Sequence, residues 1–289
     1  MQVLMNGIIV GLTIALLALA FNIVYLPTRV FHVAMGGIYA FVPYIAWTCI
    51  QYGWPWYVSI VAAIATSIAL SVSCEIFNHY PLERKNASPG VHLVSSLGMY
   101  IIFAQSIVLI WGNETKVMRK GLDEVIIVCG ASLTHAQMIA AVVSGVLILL
   151  VYLWLKFSNV GLQFRALADN PTEFALCGYN VHRLRLLAFG ISGILSAGGA
   201  LLVSNDIGFD PHGGLLAVLL AIVAVVIGGR VSLLGPVLGG ILLGVIRSEV
   251  VWFFSARWQE AATFLLLVLF LFVRPQGLFG RDIRLEAKI

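Results

Sequence analysis

The sequence predicts an all-α, polytopic transmembrane helical bundle of about 8–10 spans, each needing about 20 mostly apolar residues. Three observations carry this prediction. The 289 residues are 61% hydrophobic and only 10% charged, with a mean hydropathy of +1.00. A soluble domain carries about 25% charged residues, so this chain has too few to solvate its surface. Span-length apolar stretches recur from Met5 to the neighbourhood of Arg274. They are continuous rather than alternating, which excludes a β-barrel and leaves helices as the way to satisfy the backbone in lipid.

Reading the apolar runs between turn signals gives nine candidate spans, at 3–26, 31–50, 55–79, 92–112, 137–157, 186–204, 213–229, 234–252 and 258–274. They make one transmembrane domain over 1–289, with a cytoplasmic loop at about 158–185 and a tail at about 275–289. No Lys or Arg precedes the first run and no cleavage pattern follows it, so a signal peptide is not expected. An external N-terminus puts Arg29, Arg84, Lys85, Lys156, Arg165, Arg183, Arg185, Arg230, Arg274, Arg281, Arg284 and Lys288 on the cytoplasmic side. Only Lys116, Arg119, Lys120 and Arg257 then lie outside, with Arg247 inside a span. The positive-inside rule therefore orients the chain N-out and C-in. The same placement accounts for the net charge of +4 without nucleic acid as a partner.

Glycine spacing adds packing information. Gly235 with Gly239, and Gly240 with Gly244, are two GxxxG intervals on one predicted helix, and Gly190, Gly193, Ser196, Ala197 and Ala200 place small residues on another. Small residues let helices approach closely in lipid. The doublets Gly36-Gly37, Gly198-Gly199, Gly213-Gly214, Gly228-Gly229 and Gly239-Gly240 also allow helix breaks beside a polar route. Trp54, Trp56, Tyr57, Trp111 and Trp252 read as interfacial aromatics. The cysteines at 49, 74, 129 and 177 lack metal or redox spacing.

The loop from Lys156 to Arg185 encodes a short helix. Asn170 can cap it, Pro171 suits its first position, and Glu173 at the third completes an Asn version of the capping box. Phe174, Ala175 and Leu176 follow, Gly178 is a natural stop, and Asn180 can cap the next span. Such a helix either rests on the headgroup surface or docks into a cytoplasmic motor through Phe174 and Leu176, with Arg165, Asp169 and Glu173 as polar contacts.

The run Gly161 to Val181, GLQFRALADNPTEFALCGYNV, resembles the coupling loop of the branched-chain amino acid type ABC transporter permeases, of the kind that pairs with a second, homologous permease. The closing Val273 to Gly280, VRPQGLFG, is similar to that family's C-terminal signature, and Gly228 to Gly244 to its glycine-rich segment. Asn6-Gly7 with Gly11, and His32 to Tyr44, align as well. The resemblance implies an amino-acid importer in a bacterial inner membrane, N-terminus periplasmic. It implies a heterodimer with a second permease chain, two cytoplasmic ATPase subunits and a periplasmic solute-binding protein. The chain itself would bind no cofactor, with ATP and Mg held by the partner ATPase. None of its five lysines follows a glycine, so no GxxxxGK[ST] loop is present to hold a phosphate.

Two departures bear on the solute. Where the family commonly reads Asn-Phe-Ala-His-Gly-Glu, this chain has His32, Val33, Ala34, Met35, Gly36 and Gly37, and a second acidic position matches Arg247. An intramembrane charge needs a partner, so this exchange suggests a solute that is anionic or lacks an amino group, unless Arg247 snorkels or pairs with Glu249 or Glu260. A path would then include His32, Gly36, Gly37, Tyr39, Ser95, Ser96 and Arg247, while Glu75 would snorkel or meet His79. Asp206, Asp210 and His212 belong to an outer loop. The alternative is an ion-coupled secondary transporter, which would need carboxylate or histidine relays deep in the spans. A membrane enzyme would need a convergent catalytic or metal cluster, and the histidines lack an HExxH-like spacing.

Overall fold

The computed structural model describes residues 1–118, 125–128, 130–230, 232–274 and 276–279. Arg119, Lys120, Cys129, Arg281, Arg284, Lys288 and part of the closing VRPQGLFG run lie outside the described residues. In chain order the structure contains α1 (Gln2–Thr28), α2 (Ala34–Gln51), α3 (Trp56–Cys74), a π-helical turn (Glu75–His79), α4 (Tyr80–Arg84) and α5 (Pro89–Trp111). A hairpin of β1 (Val125–Val128) and β2 (Ala131–Thr134) follows, then α6 (His135–Phe157), α7 (Asn159–Asp169) and α8 (Pro171–Leu176). The chain continues as α9 (Val181–Ile207), α10 (Gly213–Gly228), α11 (Gly235–Phe253) and α12 (Gln259–Val273).

Every candidate span coincides with a helix. Among the described residues, seven helical segments are long and apolar enough to cross a membrane. α2, with 18 residues, and α10, with 16, are not among the seven. At 1.5 Å per residue α10 covers about 24 Å, short of the roughly 30 Å hydrocarbon layer. Their first turns meet inside the bundle: a Cβ built on Gly214 would lie 1.9 Å from Gly36 O, and one on Gly36 would lie 2.5 Å from Gly214 O. These two glycine doublets are helix starts, and Gly228-Gly229 is a helix end, whereas Gly198-Gly199 and Gly239-Gly240 lie within unbroken helices.

The order α1–α2–α3 is repeated as α9–α10–α11 at constant spacing: Gln2 to Val181, Ala34 to Gly213 and Trp56 to Gly235 are each 179 residues apart. The left-handed residues that end α1 and α9, Arg29 at φ 57° and Gly208 at φ 86°, keep the same interval. The two sets run in opposite directions. The start of α1 meets the hairpin, where Gln2 binds Ser132, and its end meets α7, where Arg29 Nη2 donates to Ala168 O. α9 instead starts after α7–α8 and ends where Phe209 pairs with Lys116 beside the hairpin. Two helices whose starts meet inside the bundle, at matching places in inverted halves, resemble the way many transporters are built.

α1 is the central helix, buried almost continuously from Ile14 to Pro27 and packed against α11, α9 and α10. The four glycines of α11 face two ways. Gly235 and Gly239 meet Gly228 and Ala224 of α10, while Gly240 and Gly244 meet Ala15 and Gly11 of α1. On α9, Gly193 packs against Ser67 and Ile68 of α3, but a Cβ on Gly190 would meet open space. Past α12 the chain folds back, and Leu278 and Phe279 N–H donate to Ile227 and Gly228 O.

The two-stranded hairpin was not expected from the sequence. It leads into α6 through a capping box in which Thr134 and Gln137 exchange hydrogen bonds, a T-x-x-Q pattern that could have been read. Trp111, expected at a lipid interface, is instead half-buried against Tyr44 and Phe41 and donates to Thr48 Oγ1 at 2.8 Å.

Candidate functional site

Three arrangements could carry function, one at each end of the bundle and one between α3 and α9. At the end away from the hairpin, α7 and α8 form a hairpin of short helices. Ser158 caps α7 through Gly161 N–H, and Phe164 and Leu167 tuck into the main core. Sequence reading had no helix at α7. Its Gly161 has the signal of a break, but the glycine is there because a Cβ would strike Leu155 O at 1.7 Å. α8 matches its encoding closely. Asn170 Oδ1 accepts the N–H groups of Thr172 and Glu173 at 3.1 and 3.3 Å, Gly178 takes φ 83°, and Asn180 caps α9.

Two expectations for this loop need correction. Only half of the capping box forms, because Asn170 N–H donates to Ala166 O of α7. Phe174, expected to face outward as an apolar docking contact, is instead buried: it is 6% exposed, stacks on Tyr179 and joins the core. One turn of helix cannot present residues two apart to the same side, so burying Phe174 turns Leu176 outward at 81% exposure. Arg165, Glu173 and Ala175 are exposed around it, and Asp169 and Asn170 line a groove of about 480 Å³ between the two helices.

Between α3 and α9, Glu75 and Arg185 form a buried ion pair. Arg185 Nε donates to Glu75 Oε1 at 2.5 Å and Nη2 to Oε2 at 3.3 Å, with Glu83 Oε2 at 3.1 Å from Nη1. His79 Nδ1 lies 3.4 Å from His92 Nδ1, and the His32 ring packs edge-on against His79 and Phe189. Glu75 therefore neither snorkels nor meets His79, and Arg185 is not a flanking charge: α9 begins at Val181, which places Arg185 within the helix at 4% exposure. A buried charge needs an opposite charge and further hydrogen bonds, and the π turn supplies the register that aims Glu75 at α9. Ser96 Oγ accepts Ala34 N–H at the start of α2, and Ser95 hydroxyl bonds Asn78 Oδ1 in the π turn. His32 has no hydrogen-bond partner for either ring nitrogen among the described residues. No group of three or more His, Cys, Asp or Glu among the described residues could hold a metal.

Toward the hairpin end, α1, α2, α9, α10 and α11 line a half-open cavity of about 350 Å³. Of the residues expected on a path, the structure brings Tyr39 and Arg247 into its wall. Gly36 and Gly37 stand behind that wall, against Gly214 and Phe103. His32, Ser95 and Ser96 belong to the polar cluster instead. Asp210, read from sequence as a loop residue, also lines the cavity and caps the start of α10 by accepting His212 and Gly213 N–H. Arg247 does not snorkel. It is 9% exposed and its Nη1 donates to Thr263 Oγ1 at 2.9 Å.

The chain has known relatives. The family model described as branched-chain amino acid transport system / permease component matches residues 3–273. The high-affinity branched-chain amino acid transport system permease protein LivH of Escherichia coli K12 is 27% identical, over 97% of this chain and 96% of that protein. The corresponding protein BraD of Pseudomonas aeruginosa is 30% identical over the same shares. Among solved structures, PsaBC from Streptococcus pneumoniae in complex with Fab shares the fold at a TM-score of 0.54 and 13% identity, covering 96% of this chain and 94% of that one. A match of this extent shows that the chain belongs to the branched-chain amino acid transport system permease family, as a membrane-spanning permease component.

Proposed function

We propose that this chain is one half of a heterodimeric permease in an ATP-driven importer for a branched-chain amino acid or a related small organic-acid solute. A homologous second permease, two cytoplasmic ATPase subunits and a solute-binding protein complete the assembly, with ATP and Mg held by the ATPases. The chain is oriented with its N-terminus and hairpin periplasmic and α7–α8 cytoplasmic. The geometry of α8 carries the reading. This capped turn is anchored by Phe174, presents Leu176 outward, and continues through Gly178 and Asn180 directly into α9. Force applied to α8 therefore reaches a helix that crosses the whole bundle beside the cavity.

The test is to measure solute uptake and ATPase retention in membranes carrying Glu173→Arg or Gly178→Trp. The first reverses charge on the exposed helix. The second puts a side chain where φ is 83° and space is open, so its strain stays local. Both should uncouple transport or release the ATPase while the chain remains inserted. Normal uptake in both variants would rule out α8 as the docking element.

A further inference from the structure

We infer that the cavity at the hairpin end is a binding site for the carboxylate of a small aliphatic solute, with Arg247 as its specificity-determining residue. This deepens the importer reading and rests on it for its physiological meaning, though binding itself can be tested without the ATPase.

The first observation is Arg247 itself. A guanidinium has five N–H donors and a fixed positive charge. This one is nine-tenths buried in an apolar bundle, and its one hydrogen-bond acceptor among the described residues is the neutral Thr263 hydroxyl. No carboxylate of the described residues lies within ion-pair distance of it. Arg185, buried more deeply in the same bundle at 4% exposure, has two. Glu260 acts on it only through space, without contact. A buried cation with no contacting anion is unfavourable, and a carboxylate supplies a two-pronged acceptor for it.

The second observation is the rest of the wall. α10 begins there at Gly213 and Gly214, but Asp210 already takes its first N–H groups, so the cationic group of the wall is Arg247. The remaining lining is mainly apolar and includes Val10, Ile14, Leu17, Tyr39, Leu216 and Leu220. The volume falls in the range of about 300–1,000 Å³ common for small-ligand pockets. One guanidinium above a greasy wall fits a single carboxylate on a branched aliphatic body. A phosphate would call for more donors, and a neutral solute would leave Arg247 desolvated and unpaired. Asp210 lies in the same wall, and an ammonium group on the solute would find its charge there.

The test uses the full chain in membranes, with Thr13→Cys as a reporter in the cavity wall and the parent chain as background for the native cysteines. Maleimide labelling of the reporter is followed with 4-methylpentanoate, 4-methylpentanamide or leucine at millimolar concentration. We expect the carboxylate to slow labelling and the amide to leave it unchanged. Arg247→Gln should abolish protection and Arg247→Lys should restore part of it. Unchanged labelling without a probe shows that each variant keeps its cavity. Stronger protection by leucine than by 4-methylpentanoate assigns the ammonium to Asp210, and equal protection identifies a plain carboxylate site. Equal protection by the amide, protection surviving in Arg247→Gln, or no protection by any probe would overturn the inference. Uptake that fails only in α8 variants, with protection intact, would separate a fault in coupling from a fault in the site.

Discussion

The inverted halves place α1 against α11 and α9 against α3, yet the two contacts are made differently. Where α1 meets α11 there is almost no side chain: a Cβ on Gly244 would fall 2.3 Å from Gly11 Cα, and one on Gly240 would fall 2.5 Å from Ala15 Cα. Where α9 meets α3, hydroxyls and charges do the joining. Ser67 and Ser71 donate to Gly193 and Phe189 O at 2.7 Å each, and Arg185 closes the row on Glu75. The first contact holds by close backbone approach and tolerates no displacement, because packed interiors forfeit attraction with any gap. The second is made of discrete hydrogen bonds that can be exchanged one at a time. It is also the one whose helix continues from α8, so under the proposed coupling through α8 the polar contact would lie on the path of force and the glycine contact on the fixed scaffold.

The largest effect should come from the scaffold side. Gly244→Leu forces two backbones apart and should remove most folded protein, measured as monodisperse material after detergent extraction. Gly193→Ala, whose Cβ would come 3.0 Å from Ser67 O, should cost far less. Comparable losses in both would break the contrast. Next is Arg185→Met, which strands a buried Glu75. Removing one partner of such a pair costs about 3–5 kcal/mol, read as a shift in reversible unfolding in mixed micelles. Adding Glu75→Gln should recover much of that loss, since neighbouring sites are not additive. A double variant as weak as the sum of its parts would show that the pair is not one unit. The smallest effect is expected for Ser71→Ala, at about 0.5–1.5 kcal/mol for one hydrogen bond.

What the sequence made legible was local. The long apolar runs, the Asn170 and Asn180 caps, the Gly178 stop and the glycine spacing of α11 all depend on neighbours within a turn or two. What it hid depends on residues far apart. Glu75 and Arg185 are separated by 110 positions, and each alone resembles a charge at the edge of a span. The cavity draws its wall from five helices, so Asp210 could be seen only as a loop residue. Phe174 was misplaced because an apolar residue in a short exposed helix carries no mark of which side will be buried. That α2 and α10 begin against each other inside the bundle was hidden as well, since hydropathy does not register where a helix starts.

The account turns on α8 as the point where a motor engages the chain, and the most direct measurement is a photo-crosslinker placed at Leu176 in living cells. Leu176 is 81% exposed, so the substitution leaves the core untouched. The prediction is an adduct with a nucleotide-binding chain, changed in yield when ATP hydrolysis is trapped by vanadate. Adducts with lipid alone, or a yield indifferent to nucleotide, would contradict it.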